Sequence, residues 1–393
     1  MPTEEHMTVN ERRKYLKLMK PQYEAAPRKE KKRMLSDMQA VAGLHRKSLL
    51  RLLNASSLER KKRKTPRQRN YGPQVEQVIL QVWESLDYVC AERLTPVLLS
   101  TAQHLARFGV VQLTTQLEEQ LGQISEASVT RLLRKHRQRK QRLPRKGPER
   151  ANQVRKGVPM KRIPWDTTEP GHEEVDLVHH GGESGAGEYA HTIQLIDVAT
   201  GWSERVAVMG RGQQAMERGF RRILERIPFP ILELHPDNGS EFFNQHLVRF
   251  WKNKVTGVHL SRSRPYHKND NRFVEQKNSS LVRQYFGTVR LDTPEQVAAM
   301  NVLYEQMWLY YNLFQPVLHL CEKAVVDDHV RRKWDEAKTP YQRLLSSGIL
   351  SPEQQARLQQ LYEQTNPLQL REAIYRQLAA LWDMATAQPS SAA

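Results

Sequence analysis

His235-Pro236-Asp237-Asn238-Gly239-Ser240-Glu241-Phe242 sits between two different hydrophobic patterns. Ahead of it, Ile231, Leu232 and Leu234 make the short apolar run of a buried strand. Behind it, Phe242, Phe243, Leu247, Phe250 and Trp251 recur at helical spacing. The expected order is a strand, an acid, a turn and a helix. Asp237 then projects beyond the carboxyl end of its strand, where open α/β sheets bind their ligands. As a bare turn, Asp-Asn-Gly would do no more than cap the next helix, so the flanking sequence has to decide between the two.

Upstream, Glu173 to Val178 reads as a strand carrying Asp176, Tyr189 to Ile196 as a second strand and Trp202 to Met209 as a third, with Thr200-Gly201 as the turn between the last two. Gly181 to Gly187 is a connection; it lacks the lysine and the following helix of a phosphate loop. Gln213 to Arg226 is helical and leads into the strand before Asp237. Three hairpin-like strands, a helix, a strand and further helices predict an α/β core with a mixed sheet. Downstream, a helix is expected to start near Asn269 or Asp270, anchored by Phe273 and Val274, with Asn271 and Glu275 side by side on its exposed face. Asp197 is assigned to the hairpin turn, and His179-His180 to polar packing beside Asp176.

Charge is uneven along the chain. Residues 1–165 carry 36 Lys and Arg against 15 Asp and Glu, whereas residues 166–393 carry 25 against 28. A basic front part followed by a nearly neutral part suggests one portion that holds a polyanion and another that acts on it. No run of about 18 apolar residues offers a membrane span, and the start has no signal-peptide core. Cys90 and Cys321 are too few for a disulfide framework or a zinc cluster. A cytoplasmic protein, on the nucleoid if bacterial, is the expectation.

Within the basic part, Met34, Leu35, Met38 and Val41 repeat at helical spacing, Gly43 interrupts, and a second helix begins at Leu44. This looks like a helix-turn-helix. Leu44, Leu49 and Leu53 pack inward, leaving His45, Arg46, Lys47 and Arg51 for a DNA groove. Leu113, Leu117 and Leu121, then Gly122, then Ser125 to Leu133 repeat the theme, with Ser125 as N-cap and Ser128, Arg131, Arg134 and Lys135 on the DNA side. The stretch 60–67 reads as a basic, Pro-containing linker, and 134–162 as a basic linker lying on phosphate.

Asp176, Asp237 and Glu275, the last 38 positions after the second, together resemble the Asp, Asp, Glu triad of the retroviral-integrase-like transposases, a superfamily that includes many bacterial insertion-sequence enzymes. Asp237-Asn238-Gly239-Ser240-Glu241-Phe242 and the Asn271-x-x-x-Glu275 pairing carry the resemblance, which covers about residues 166–285. It implies an RNase H-like catalytic core and an activity in DNA strand cleavage and strand transfer. The triad would hold two Mg²⁺, with Mn²⁺ able to substitute, because hard oxygen ligands suit these ions and two ions can neutralise both ends of an in-line displacement. Arg262, Lys268 and Lys277 are candidate phosphate contacts. Implied partners are double-stranded DNA and further copies of the chain; no membrane and no small-molecule substrate are expected.

The expected division is a basic arm over 1–29, a first helix-turn-helix over 30–70, a helical region with a second over 71–140, a basic linker over 141–165, the core over 166–290 and a helical region over 291–393. The rival reading is a DNA-binding regulator or a degenerate transposase, for which the front part alone would suffice. A tyrosine recombinase is disfavoured: His-x-x-Arg starts at 104, 136, 246, 259 and 329, but no ordered catalytic set accompanies it.

Overall fold

The structure, a computed structural model, describes residues 7–59, 71–136, 163–164, 166–182, 186–236, 242, 245–255, 257–263, 270–326 and 329–386. The chain divides into two units, Met1–Asn70 and Tyr71–Ala393. In the first, α1 (Val9–Ala25), α2 (Arg28–Ala42) and α3 (Arg46–Leu53) pack around Leu16, Leu35, Met38, Leu49 and Leu53. Helix α1 corrects the expected arm. Thr8 Oγ1 accepts from Glu11 N–H while the Glu11 carboxylate accepts from Thr8 N–H, and Leu16 is fully buried, so both a reciprocal cap and a tertiary contact hold the helix. Helix α2 stops at Gly43, whose left-handed φ of 59° is open to glycine without steric cost.

The second unit begins with α4 (Pro73–Ser85), α5 (Ala91–Arg107), α6 (Thr115–Gln123) and α7 (Glu126–Leu133). Strands β1 (His172–His179), β2 (Ala190–Asp197) and β3 (Ser203–Met209) then form an antiparallel meander. Helix α8 (Gln213–Arg226) crosses over to β4 (Glu233–Pro236), which runs parallel to β1, and α9 (Gln245–Lys254) leads to β5 (His259–Leu260), parallel to β4. The order β3-β2-β1-β4-β5 is a mixed five-stranded sheet with helices, which fits an RNase H-like core.

Alternation along the strands gives the sheet two apolar faces. On one, Val175, Leu177, Ile193, Leu195 and Val208 meet Met216, Phe220 and Ile223 of α8 and Leu247 and Trp251 of α9. Gly219 allows that approach, since a Cβ there would come within 2.5 Å of Ile193 Cδ1. Next come α10 (Arg272–Lys277), a π-helical segment (Asn278–Arg283), α11 (Gln284–Phe286), and α12 (Pro294–Leu309), continued by a second π-helical segment (Tyr310–Phe314). A hairpin of β6 (Leu320–Val326) and β7 (His329–Trp334), then α13 (Pro340–Ser347), α14 (Pro352–Gln364) and α15 (Pro367–Thr386) complete the unit. Helix α12 covers the other sheet face and α15 packs on α12, so that Met300, Leu303, Tyr304, Ile374 and Leu378 share one apolar cluster with Val178, Ala190 and Ala207. Strand β2 is therefore buried along its whole length.

Two features depart from expectation. The β6–β7 hairpin stands in a region read as helical. Residues 71–140 and 291–393, read as separate from the core, share one apolar cluster with it: Trp83, Leu98 and Leu105 pack with Trp308, Phe314, Tyr341 and Leu358 and with Trp202 of the sheet region. Among the described residues no helix is long and apolar enough to cross a membrane. Asp237, Lys268, the stretch 60–67 and most of 141–165 lie outside the described residues.

Candidate active site

The sequence Glu174-Val175-Asp176-Leu177 alternates down β1. Val175 and Leu177 are buried in the α8 and α9 face, so Glu174 and Asp176 belong to the opposite one. Helix α10 docks there. Two N–H groups of its first turn, those of Phe273 and Val274, donate to Glu174 Oε2 at 2.8 and 3.0 Å. A carboxyl from a strand thus caps a helix about a hundred residues away in sequence, answering donors that no intrahelical carbonyl can reach. Val274 is fully buried beneath the helix. Asn271 Nδ2 reaches Val175 O at 3.4 Å, and Asn278, at the start of the π-helical segment, donates its side-chain N–H to Asp176 Oδ2. The other oxygen of Asp176 accepts from Leu177 N–H at 2.8 Å.

This docking places Asp176 and Glu275 at one strand-helix junction. Glu275 is exposed and Asp176 half-buried. The Glu174 carboxyl behind them is pushed up to about 8, first by burial; the N–H groups of Val274 and Phe273 and the charge of Arg272 oppose that shift, and the charge of Glu275 adds to it. Described pairing of β4 with β1 ends at Val175↔Pro236, one residue short of Asp176 on one strand and of Asp237 along the other chain segment. Asp176 and Glu275 offer hard carboxylate oxygens, the ligand type Mg²⁺ takes, so the donor set fits. Among the described residues no three His, Cys, Asp or Glu side chains gather in a metal-holding group; the third acid of the expected triad is not one of them.

Several expectations need correcting. Asn271 is 4% exposed, so it supports α10 from beneath rather than sharing an open face with Glu275. Arg262 is 7% exposed, so it is not the open surface cation that was expected. Lys277 stands about 200° from Glu275 around the helix and lines a cavity on the far side of α10. Asp197 is buried and takes bonds from Gly171 N–H, Thr200 N–H and Thr200 Oγ1 at 2.8, 2.7 and 2.6 Å, a turn acid, as read, but one with all its neighbours depending on it. His180 lies 2.8 Å from Thr192 Oγ1, which is polar packing. From sequence alone Glu174 has no assigned role, and Asn278 figures only as a residue that follows Glu275. The signal for Glu174 was present, an acid two places before Asp176 on the same strand face.

In the first unit, His45 caps α3, and Lys47 and Arg51 are exposed beside it while Leu49 and Leu53 face the core; Arg46 is half-buried. In the second, Ser125 caps α7, Arg131 donates to Ser128 Oγ at 3.0 Å, and Arg131, Arg134 and Lys135 are exposed.

No protein-family model matches the chain. It is 35% identical over 326 residues to the uncharacterized protein y4rM of Sinorhizobium fredii (strain NBRC 101917 / NGR234), a match that spans 82% of this chain and 91% of that protein. Among solved structures, the catalytic core domain of BIV integrase aligns over 45% of this chain and 95% of its own, with 15% identity and a TM-score of 0.31, too loose a superposition to compare positions.

Proposed function

The chain belongs to one family with the uncharacterized protein y4rM of Sinorhizobium fredii, and we propose that it is a transposase-like enzyme that cleaves DNA strands and joins them to a target. What carries the reading is the docking of α10 on β1, which brings the Asp176 carboxyl and the helix of Glu275 together across a hundred residues of sequence. Asp176, Asp237 and Glu275 would hold divalent magnesium, or manganese in its place, which supplies charge neutralisation at the phosphodiester. The chain's own groups set the geometry. Asn278 orients one Asp176 oxygen, Leu177 N–H the other, and Glu174 fixes the angle at which Glu275 leaves the helix. The pairs α2–α3 and α6–α7 would act as helix-turn-helix units on duplex DNA, with His45, Arg46, Lys47, Arg51, Ser128, Arg131, Arg134 and Lys135 toward phosphates and bases. Joining two ends needs two such sites, so the working form is a multimer of the chain.

The test is strand transfer on a short duplex with Mg²⁺ or Mn²⁺, beside a gel-shift for every variant. Asp176→Asn, Asp237→Asn and Glu275→Gln should each abolish cleavage and joining while binding stays at the wild-type level. The losses should not add, because three ligands of one site act as a unit. A Glu275→Gln protein that joins DNA at the normal rate would overturn the assignment.

A further inference from the structure

Behind α10, away from Glu275, lies a cavity of about 210 Å³ whose walls include Arg93 of α5, Arg205 of β3, Lys277 of α10 and Tyr311. Arg205 is 1% exposed. Its Nη2 donates to Met307 O at 3.1 Å, but among the described residues Nε and Nη1 have no hydrogen-bond partner, nor do the buried Nε of Arg93 and the hydroxyl of Tyr311. Lys277 Nζ and the Arg205 guanidinium stand over the same Tyr311 ring, 4.8 and 5.8 Å from its centroid. The one carboxylate on the wall, Asp87, is already engaged by Arg371 Nε at 3.0 Å and by Tyr375 hydroxyl at 2.9 Å. Asp87 and Tyr88 both hold positive φ, 53° and 60°, a conformation that non-glycine residues keep only where surrounding structure demands it.

Three cationic side chains around one cavity, one of them wholly buried, are costly as they stand. Withdrawing a cation from water is unfavourable, and the cation–π contacts to Tyr311 offset only part of that. Water could meet the open N–H groups but not the charge. A tetrahedral oxyanion meets both, since it accepts from a guanidinium, an ammonium and a hydroxyl at once. The volume lies below the roughly 300 Å³ at which pockets begin to take drug-sized ligands, which suits a phosphate group and leaves out a whole nucleotide.

We propose that this cavity is a phosphate site, bridging α5, β3 and the helix that carries Glu275. Asp176, Gln194 and Arg205 are register neighbours across β1, β2 and β3, so the site shares a sheet face with Asp176, and its occupation would brace α10 from behind. The claim does not depend on the strand-transfer reading.

Titration calorimetry of the full chain with inorganic phosphate, at ionic strength held constant with sodium chloride, tests it. One saturable site per chain is expected, with a phosphate-dependent rise in melting temperature. Lys277→Gln and Arg93→Gln, at half-buried positions, should each weaken binding by about tenfold or more, the loss of one charge-assisted bond. Asp176→Asn should bind phosphate as the wild type does, which separates this site from the proposed catalytic one. Competition with a short duplex, with and without a 5′-phosphate, identifies the source: displacement by the phosphorylated duplex alone assigns the group to a DNA end, and displacement by neither assigns it to a free phosphate. No saturable binding to the wild type, or equal binding by the Lys277 and Arg93 variants, would overturn the proposal.

Discussion

Glu174 is mostly the neutral acid at pH 7, because burial outweighs the two N–H groups it caps. A carboxyl raised from 4.5 to about 8 on folding makes the folded state bind the extra proton. Its contribution to stability is fully present below 4.5 and is lost as the pH climbs through about 8. Urea melts at pH 5 and pH 8 should therefore show wild type losing more stability over that interval than Glu174→Gln, by an amount on the order of a few kcal/mol; parallel losses would count against this ionisation. Asp197 gives the opposite kind of prediction. An amide in its place turns N–H groups toward Thr200 or Gly171, which themselves donate to it, so Asp197→Asn should unfold at lower urea, with a cost of about 1–3 kcal/mol. Sequence alone could assign Asp197 to its turn, yet nothing local to Asp197-Val198-Ala199-Thr200 tells that Gly171, 26 residues earlier, also donates to it.

Helix α10 is six residues long, too short to stand without tertiary support, and the π-helical turn after it presents Asn278 to Asp176. Such turns recur at functional sites because they redirect a side chain that regular helix would place elsewhere. Asn278→Ala should lower strand transfer by about 10–100-fold, the usual loss when the group orienting a metal ligand is removed, with far-UV circular dichroism and DNA binding unchanged; a wild-type rate would detach Asn278 from the site. At this scale, patterns carried by a single element were legible. Helix α8 was read at its observed bounds and β1 to β3 within a residue or two, because alternation and helical spacing are local. Helix α1 was readable too, through the Thr8-x-x-Glu11 cap, but its polar composition hid it. The two-residue β5 exists only by pairing with β4, and the last four residues of β7, Arg331 to Trp334, are exposed, so apolar alternation could not announce either strand.

Across the whole molecule, the basic excess and the acids occupy different stretches of chain, a division open to simple counting. Helix α3 turns Lys47 and Arg51 outward while its leucines form the core of the first unit. If the pair contacts phosphate, the log-log plot of DNA affinity against salt should be steep, and Lys47→Ala and Arg51→Ala should each reduce its slope by about one counterion; unchanged slopes would place DNA elsewhere. Counting could not foresee how the second unit closes on itself. Tyr310 hydroxyl donates to Ser85 O, Gln315 side-chain N–H to Leu86 O, and Arg371 and Tyr375 to Asp87, so the turn after α4 is held by partners up to 288 residues later. At about 5–20 residues per second, a newly made α4 and α5 wait roughly 10–50 s on the ribosome before α12 and α13 are synthesised. For that interval Trp83, Leu98 and Leu105 lack the aromatic partners that will cover them, and they are ready clients for a chaperone. A slow ribosome or a scarce holdase should cut the soluble yield of this protein before it affects any step on DNA.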